Sequence, residues 1–302
     1  MIEDDKKKII LPNGKEFILD DQQKTERSKE RIVEDKSFVP VIIKRNDETI
    51  RHPDDILEMA IEEGLIQHKR THLSLFISAI AAGLILGFVS MCVALASQFM
   101  SQDHNFILKR LTIALVYPLG FVICIMSRTQ LFTDHTATAF YPVLDKKASI
   151  KSLFLVWFYV LLGNLLGTLT STFLIYLSEA VIGAEPGYVI VADHLIFYKF
   201  PQIFISAILA GWLMAQGGWL VLATSQASAQ IICIYIVTFI IGLGGLHHSI
   251  AGSAEIFSGI FHAQIPNYLG SFKFLVGAIL GNLVGGSLFV ASLNYAHIKK
   301  TG

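Results

Sequence analysis

Six apolar stretches, at residues 73–99, 110–143, 152–178, 198–222, 229–263 and 269–298, constrain this chain more than any other feature. Each reaches the roughly 20 residues that a helix needs to cross the hydrocarbon core of a bilayer. Charge avoids them. The chain carries 24 basic and 24 acidic residues, and 31 of these 48 fall within the first 70 positions. In lipid every backbone N–H and C=O must be satisfied within its own segment or in a closed barrel. Stretches of this length therefore predict an all-α membrane protein with six transmembrane helices.

Residues 1–68 read as a charged cytoplasmic extension, and 69–302 as the transmembrane domain. Residues 1–50 are polar enough to predict disorder, with one short strand or turn around Ile9 to Leu19. Residues 1–30 contain no apolar run of the signal-peptide kind. Pro53, Asp54 and Asp55 suit the first turn of a helix near 53–68. Ile56, Met59, Ala60 and Gly64 give it an apolar face, which is expected to rest on the membrane surface. Zero net charge offers no nucleic-acid footprint. Cys92, Cys124 and Cys233 lie in apolar runs without metal-ligand spacing, so neither a metal nor a cofactor is expected.

The second and fifth stretches are too long for one span, and polar residues interrupt both: Arg128-Thr129-Gln130 and His247-His248-Ser249. Irregular backbone at membrane depth is tolerated where protein or a water-filled cavity shields it, and paired interruptions mark transporter sites. Two halves can be aligned. Gly163-Asn164-Leu165-Leu166-Gly167 returns as Gly281-Asn282-Leu283-Val284-Gly285, and Leu131-Phe132-Thr133 is matched with Leu246-His247-His248. Three spans per copy predict an inverted 3+3 repeat with broken second and fifth helices. Lys69-Arg70, Lys146-Lys147, Lys151 and Lys299-Lys300 fall on one side, which places both termini in the cytoplasm. Lys109-Arg110 dissents.

His248 sits at the second break after a glycine run and is the candidate proton-exchanging group. His247 is its neighbour, and Ser249 and Ser253 follow. Arg128 and Asp134 flank the first break, where they either neutralise each other or present positive potential to an anion. Glu255 lies two helical turns after His248, as a partner either for it or for Arg128. Leu131 and Phe132 beside Thr133 suggest an apolar constriction next to a hydroxyl.

Four groups of residues resemble the formate/nitrite transporter family over about 60–298. They are Gln130-Leu131-Phe132-Thr133, Trp157 through Tyr159 to Gly163-Asn164, His248-Ser249-Ile250-Ala251, and Gly281-Asn282 through Gly286 to Tyr295. The resemblance implies an aquaporin-like six-helix protomer, a homopentamer in membrane lipid, and one anion pathway per protomer. In that pathway His248 and Thr133 face each other and Leu131 and Phe132 narrow the way. It also exposes departures. Gln130 and His247 stand where the family usually has acids, and Gly252 where it has an asparagine. An ungapped match puts Leu195 in place of a lysine and Gly211 in place of an asparagine, with Lys199 one turn away. The charged N-terminus resembles a divergent branch of the family.

The function expected is passage of a small monovalent weak-acid anion, or its neutral acid, across a bacterial inner membrane. Protonation near His248 would be part of it, without enzymatic activity. One rival is a neutral-solute channel, although the chain contains no Asn-Pro-Ala pair. Another is an intramembrane hydrolase using Ser249 or Ser253, although no Gly-x-Ser-x-Gly surrounds either.

Overall fold

The computed structural model describes residues 51–102, 105–264 and 266–299, together with the backbone of 8–10 and 16–18. The chain divides into two compact units, Met1–Glu48 and Thr49–Gly302. In the first, β1 (Lys8–Ile10) and β2 (Glu16–Ile18) pair antiparallel with Lys8 opposite Ile18. The strand or turn expected near Ile9 is thus a short hairpin. The remainder of the expected disordered stretch lies outside the described residues.

The second unit opens with α1 (Pro53–Lys69), capped by the His52 side chain and carrying Asp54 and Asp55 in its first turn. Its apolar face was expected to rest on lipid, but protein covers it. Ile56, Leu57, Ala60 and Ile61 pack with Ala137, Tyr141, Ala215, Leu222 and Val290. Arg51 ties the helix entrance down: its backbone N–H donates to Ala223 O at 2.9 Å and its guanidinium to Leu222 O. Further along, His68 bridges Ser152 Oγ at 2.7 Å and Ala139 O at 2.8 Å.

Six helical spans follow. The first is α2 (His72–Phe99). The second is α3 (Phe106–Val116) continued past Pro118 by α4 (Pro118–Met126), after which α5 (Phe132–Thr138) and α6 (Tyr141–Leu144) follow the break. The third is α7 (Ile150–Leu177). The fourth is α10 (Phe200–Ala223), and the fifth is α11 (Ala227–Gly244) followed after its break by α12 (Ser249–His262). The sixth begins as α13 (Tyr268–Gly286), widens into a π-helical turn at Ser287–Ser292 and ends as α14 (Leu293–Lys299). Apolar composition gives no sign of that turn.

Between the third and fourth spans, where Glu179, Glu185 and Asp193 read as an outside loop, lie α8 (Glu179–Ile182) and α9 (Glu185–Phe197). Helix α9 buries Tyr188 and Leu195 against the body. Lys273 donates to the carbonyls of Ile196, in the last turn of α9, and of Tyr198 just after it, at 3.0 and 2.7 Å.

The halves repeat in their contacts. Gly163 lets α7 approach the Ala79 Cβ and the Phe76 carbonyl of α2, and Gly281 lets α13 approach the Ala207 Cβ and the Phe204 carbonyl of α10. A side chain at either glycine would push the two backbones apart. Three spans per copy leave the copies inverted. The first and last described helices therefore end on one face, where Ile56 and Ile298 share a cluster and Lys299 reaches Asp145 at 3.6 Å.

Candidate functional site

The two breaks are built alike, and side chains on the third and sixth spans hold them. Asn164 accepts from Phe132 N–H at 2.8 Å and donates to the carbonyls of Gln130 and Ala79, both at 2.8 Å. Asn282 accepts from Ser249 N–H at 2.7 Å and donates to the carbonyls of Ala207 at 2.8 Å and His247 at 3.1 Å. Both asparagines are fully buried. Each primary amide uses one acceptor and two donors; the acceptor and one donor answer backbone groups at the break inside the bilayer, and the other donor ties the amide to a carbonyl of a neighbouring span.

These bonds correct the register of the repeat. Gln130 matches His247 and Phe132 matches Ser249, so the helix-capping residues Leu131 and His248 are equivalent. The left-handed residues at the two entrances, Arg128 with φ 56° and Gly245 with φ 61°, keep the same spacing. Pairing Thr133 with His248 as repeat mates is two residues out. They meet instead because the breaks face each other.

Thr133 Oγ1 and His248 Nε2 are 3.0 Å apart. The Nδ1 atom of the same ring receives the N–H groups of Ile250 at 3.2 Å and Ala251 at 3.1 Å. A backbone N–H can only donate, so Nδ1 is the unprotonated nitrogen and Nε2 carries the hydrogen. His248 therefore donates to Thr133. Among the described residues the Thr133 hydroxyl makes no other hydrogen bond, and its own hydrogen is available. Both residues are shut from solvent, at 0 and 1% exposure, and Phe121 meets the imidazole edge-on at 5.0 Å.

Two cavities lie towards opposite ends of the spans, one by each break, and neither wall includes Thr133 or His248. The first, about 220 Å³, is lined by Glu63, Arg70, Arg128, Gln130, Leu131 and Asp134 among others. The second, about 310 Å³, lies on the other face, where Lys109, Arg110, Tyr117, His194, Leu195 and Glu255 contribute to its wall.

The expected site residues divide accordingly. Leu131 reaches the first cavity, whereas Phe132 is buried and lines neither. Arg128 and Asp134 share that cavity, but the partner of Arg128 is Glu63 on α1, at 3.2 Å. Burial holds the Glu63 carboxyl above its ordinary pKa, and Arg128 only partly offsets this. Glu255 lines the opposite cavity, so it is not a partner of Arg128. His247 is absent from both cavity walls and packs between Tyr198 and Phe274, with both ring nitrogens unpartnered. Lys199 stands exposed at the start of the fourth span, away from both cavities. A Cβ on Gly211 would overlap the Asn282 carbonyl, so no side chain could reach the path from there. Neither serine is activated: Ser249 Oγ has no partner, and Ser253 Oγ bonds Ile250 O and Thr168 Oγ1.

The sequence reading missed Arg110. Its guanidinium lies against Gly245 at the second break, where any Cβ would collide with it. The available signal was its conflict with the positive-inside balance.

Residues 54–296 match the family model described as formate/nitrite transporter. The chain belongs to the formate/nitrite transporter family. It is 31% identical over 250 residues to the inner membrane protein YfdC of Escherichia coli K12, covering 80% of this chain and 79% of that one. It is 21% identical over 263 residues to the formate channel FocA of the same strain, covering 79% and 91%. An FNT family ion channel superposes with a TM-score of 0.72 at 18% identity, over 81% of this chain and 99% of the other. A pentameric formate channel with formate bound gives 0.66 at 20% identity, over 76% and 98%. The fold is that of these channels, and the chain is a multi-pass membrane protein of a family of channels and transporters.

Proposed function

We propose that the chain carries a small monovalent weak acid between the two cavities, past the Thr133–His248 contact. The observation that carries this reading is that contact: a neutral imidazole donating to a hydroxyl, with Phe121 against the ring, and with a cavity of about 220 Å³ towards one face and one of about 310 Å³ towards the other. A bare anion costs several kcal/mol or more to desolvate at such a place. The solute therefore crosses as the neutral acid, protonated near His248 and oriented by the Thr133 hydroxyl. The formate channels among its relatives support formate as the first solute to test.

The pentameric relative supports a pentamer with one path per protomer. An inner-membrane location is supported by the relative named for it. Lys69, Arg70, Lys147 and Lys151 support a cytoplasmic position for the Arg128 side.

The test is flux in proteoliposomes for formate, nitrite, acetate, lactate, hydrosulfide and ammonium, with and without a pH gradient. Uptake of at least one weak-acid anion, raised by a proton gradient, is the expected result. Uptake of ammonium alone, or of none, would overturn the reading.

A further inference from the structure

His248 can lend a hydrogen bond, but it is badly placed to take up protons. Its Nδ1 is occupied by two backbone N–H groups, so protonating it would uncap α12. The proton that neutralises the solute needs another source.

On the Arg110 side, Glu255 projects from α12 into the 310 Å³ cavity. It is only 6% exposed, and among the described residues it makes no hydrogen bond or ion pair. A buried carboxyl without a partner is costly as an anion and serves readily as a proton carrier. The other titratable or charged groups of the same wall are Lys109, Arg110 and Tyr117 from the second span and His194 from α9. The parts of α2 and α11 that face the cavity bring none. Arg110 has no carboxylate partner among the described residues; its guanidinium rests on Gly245 and, at 5.3 Å, over the Phe106 ring. A cation and a carboxyl thus share one largely apolar cavity without pairing. An arginine fork of this kind matches a carboxylate in two places at once.

We propose that Arg110 holds the incoming anion in this cavity and that Glu255 is the group that protonates it. The step balances. The Glu255 O–H bond breaks, the solute carboxylate takes that proton and becomes the neutral acid, and Glu255 becomes a carboxylate. The acid leaves Arg110 towards Thr133, and a proton from the solution on the Arg110 side restores Glu255. The inference rests on the proposed function above, because it supplies that pathway with its proton source.

The test uses the full chain in proteoliposomes, with radiolabelled formate and acetate as probes and uptake measured from the Arg110 side across a range of pH. Glu255→Gln is expected to lower proton-gradient-driven uptake at least tenfold and to flatten its pH profile, with partial rescue by Glu255→Asp. Arg110→Gln is expected to raise the half-saturating anion concentration about tenfold, and Arg110→Lys less. Infrared difference spectra of the wild type give a readout independent of transport. A protonated-carboxyl band that shifts on adding formate, and is missing from Glu255→Gln, is expected. Wild-type uptake with an unchanged pH profile in Glu255→Gln, or a wild-type spectrum without that band, would overturn the inference while leaving the proposed function intact. A wild type that moves neither probe would instead overturn the proposed function.

Discussion

Asn164 and Asn282 perform the same task on opposite halves of the molecule: each takes one N–H and gives one hydrogen at a break, and gives its other hydrogen to a carbonyl of a neighbouring span, Ala79 or Ala207. The breaks are therefore fixed structures, held by side chains of neighbouring spans. Leaving a buried backbone group unpaired costs about 1–3 kcal/mol. Asn164→Ala and Asn282→Ala should each lower stability by several kcal/mol and abolish flux, as read by thermal melting in detergent and by formate uptake. A variant that melts like the wild type would show that the breaks hold without these amides.

Gly211 meets the Asn282 carbonyl, and its counterpart Gly83 meets that of Asn164. Because the obstacle at both is backbone, Gly211→Ala and Gly83→Ala should cost about 1–3 kcal/mol each through overpacking. Similar losses of melting temperature in the two variants are expected from the inverted repeat.

Helix α1 belongs to the body of the protein. Deleting residues 1–48 should leave insertion and assembly unchanged, measured by membrane fractionation and native mass spectrometry. Extending the deletion through Lys69 strips the cover from Tyr141, Leu222 and Val290 and should destabilise the protein strongly.

Asp145 accepts from Tyr295 at 3.0 Å and pairs with Lys147 at 2.8 Å. Lys147 first, then Tyr295 and Lys299, hold its carboxyl below the usual range. A carboxylate depressed in the fold contributes its stability above the unfolded pKa, about 3.9, and loses it as pH falls through the lower folded value. Protection of the α14 amides, taken relative to their intrinsic exchange rate at each pH, should therefore stay constant from neutral pH down to about pH 4 and fall below. Asp145→Asn should show the lower protection already at neutral pH.

Much of this was legible in the sequence. Span length and charge avoidance located six helices, and polar residues in the overlong second and fifth stretches located the breaks. The resemblance brought Thr133 and His248 together, as the geometry does. The repeat register was not legible, because its true mates, Leu131 and His248, have nothing chemical in common and are related only through their backbone bonds to the asparagines. Helix α9 was hidden by Glu179, Glu185 and Asp193, acids that read as an outside loop but here lie on two short helices. Arg110 was hidden for a different reason: a charge near a span end reads as a topology marker, and only packing shows it turned inward over Gly245. His247 reads as a path residue because it neighbours His248, and Lys199 as a possible charge or proton partner because it lies one turn from the family's usual lysine; neither relation fixes a side chain's direction or its neighbours.

The most direct test of the account is formate accumulation in proteoliposomes under an imposed proton gradient, comparing the wild type with His248→Asn. Asparagine can still cap α12 but replaces the ring that reaches Thr133. The wild type should accumulate formate with the gradient, and His248→Asn should accumulate at least tenfold less while keeping its native mass. Equal accumulation by the two, with the same dependence on the gradient, would contradict the account.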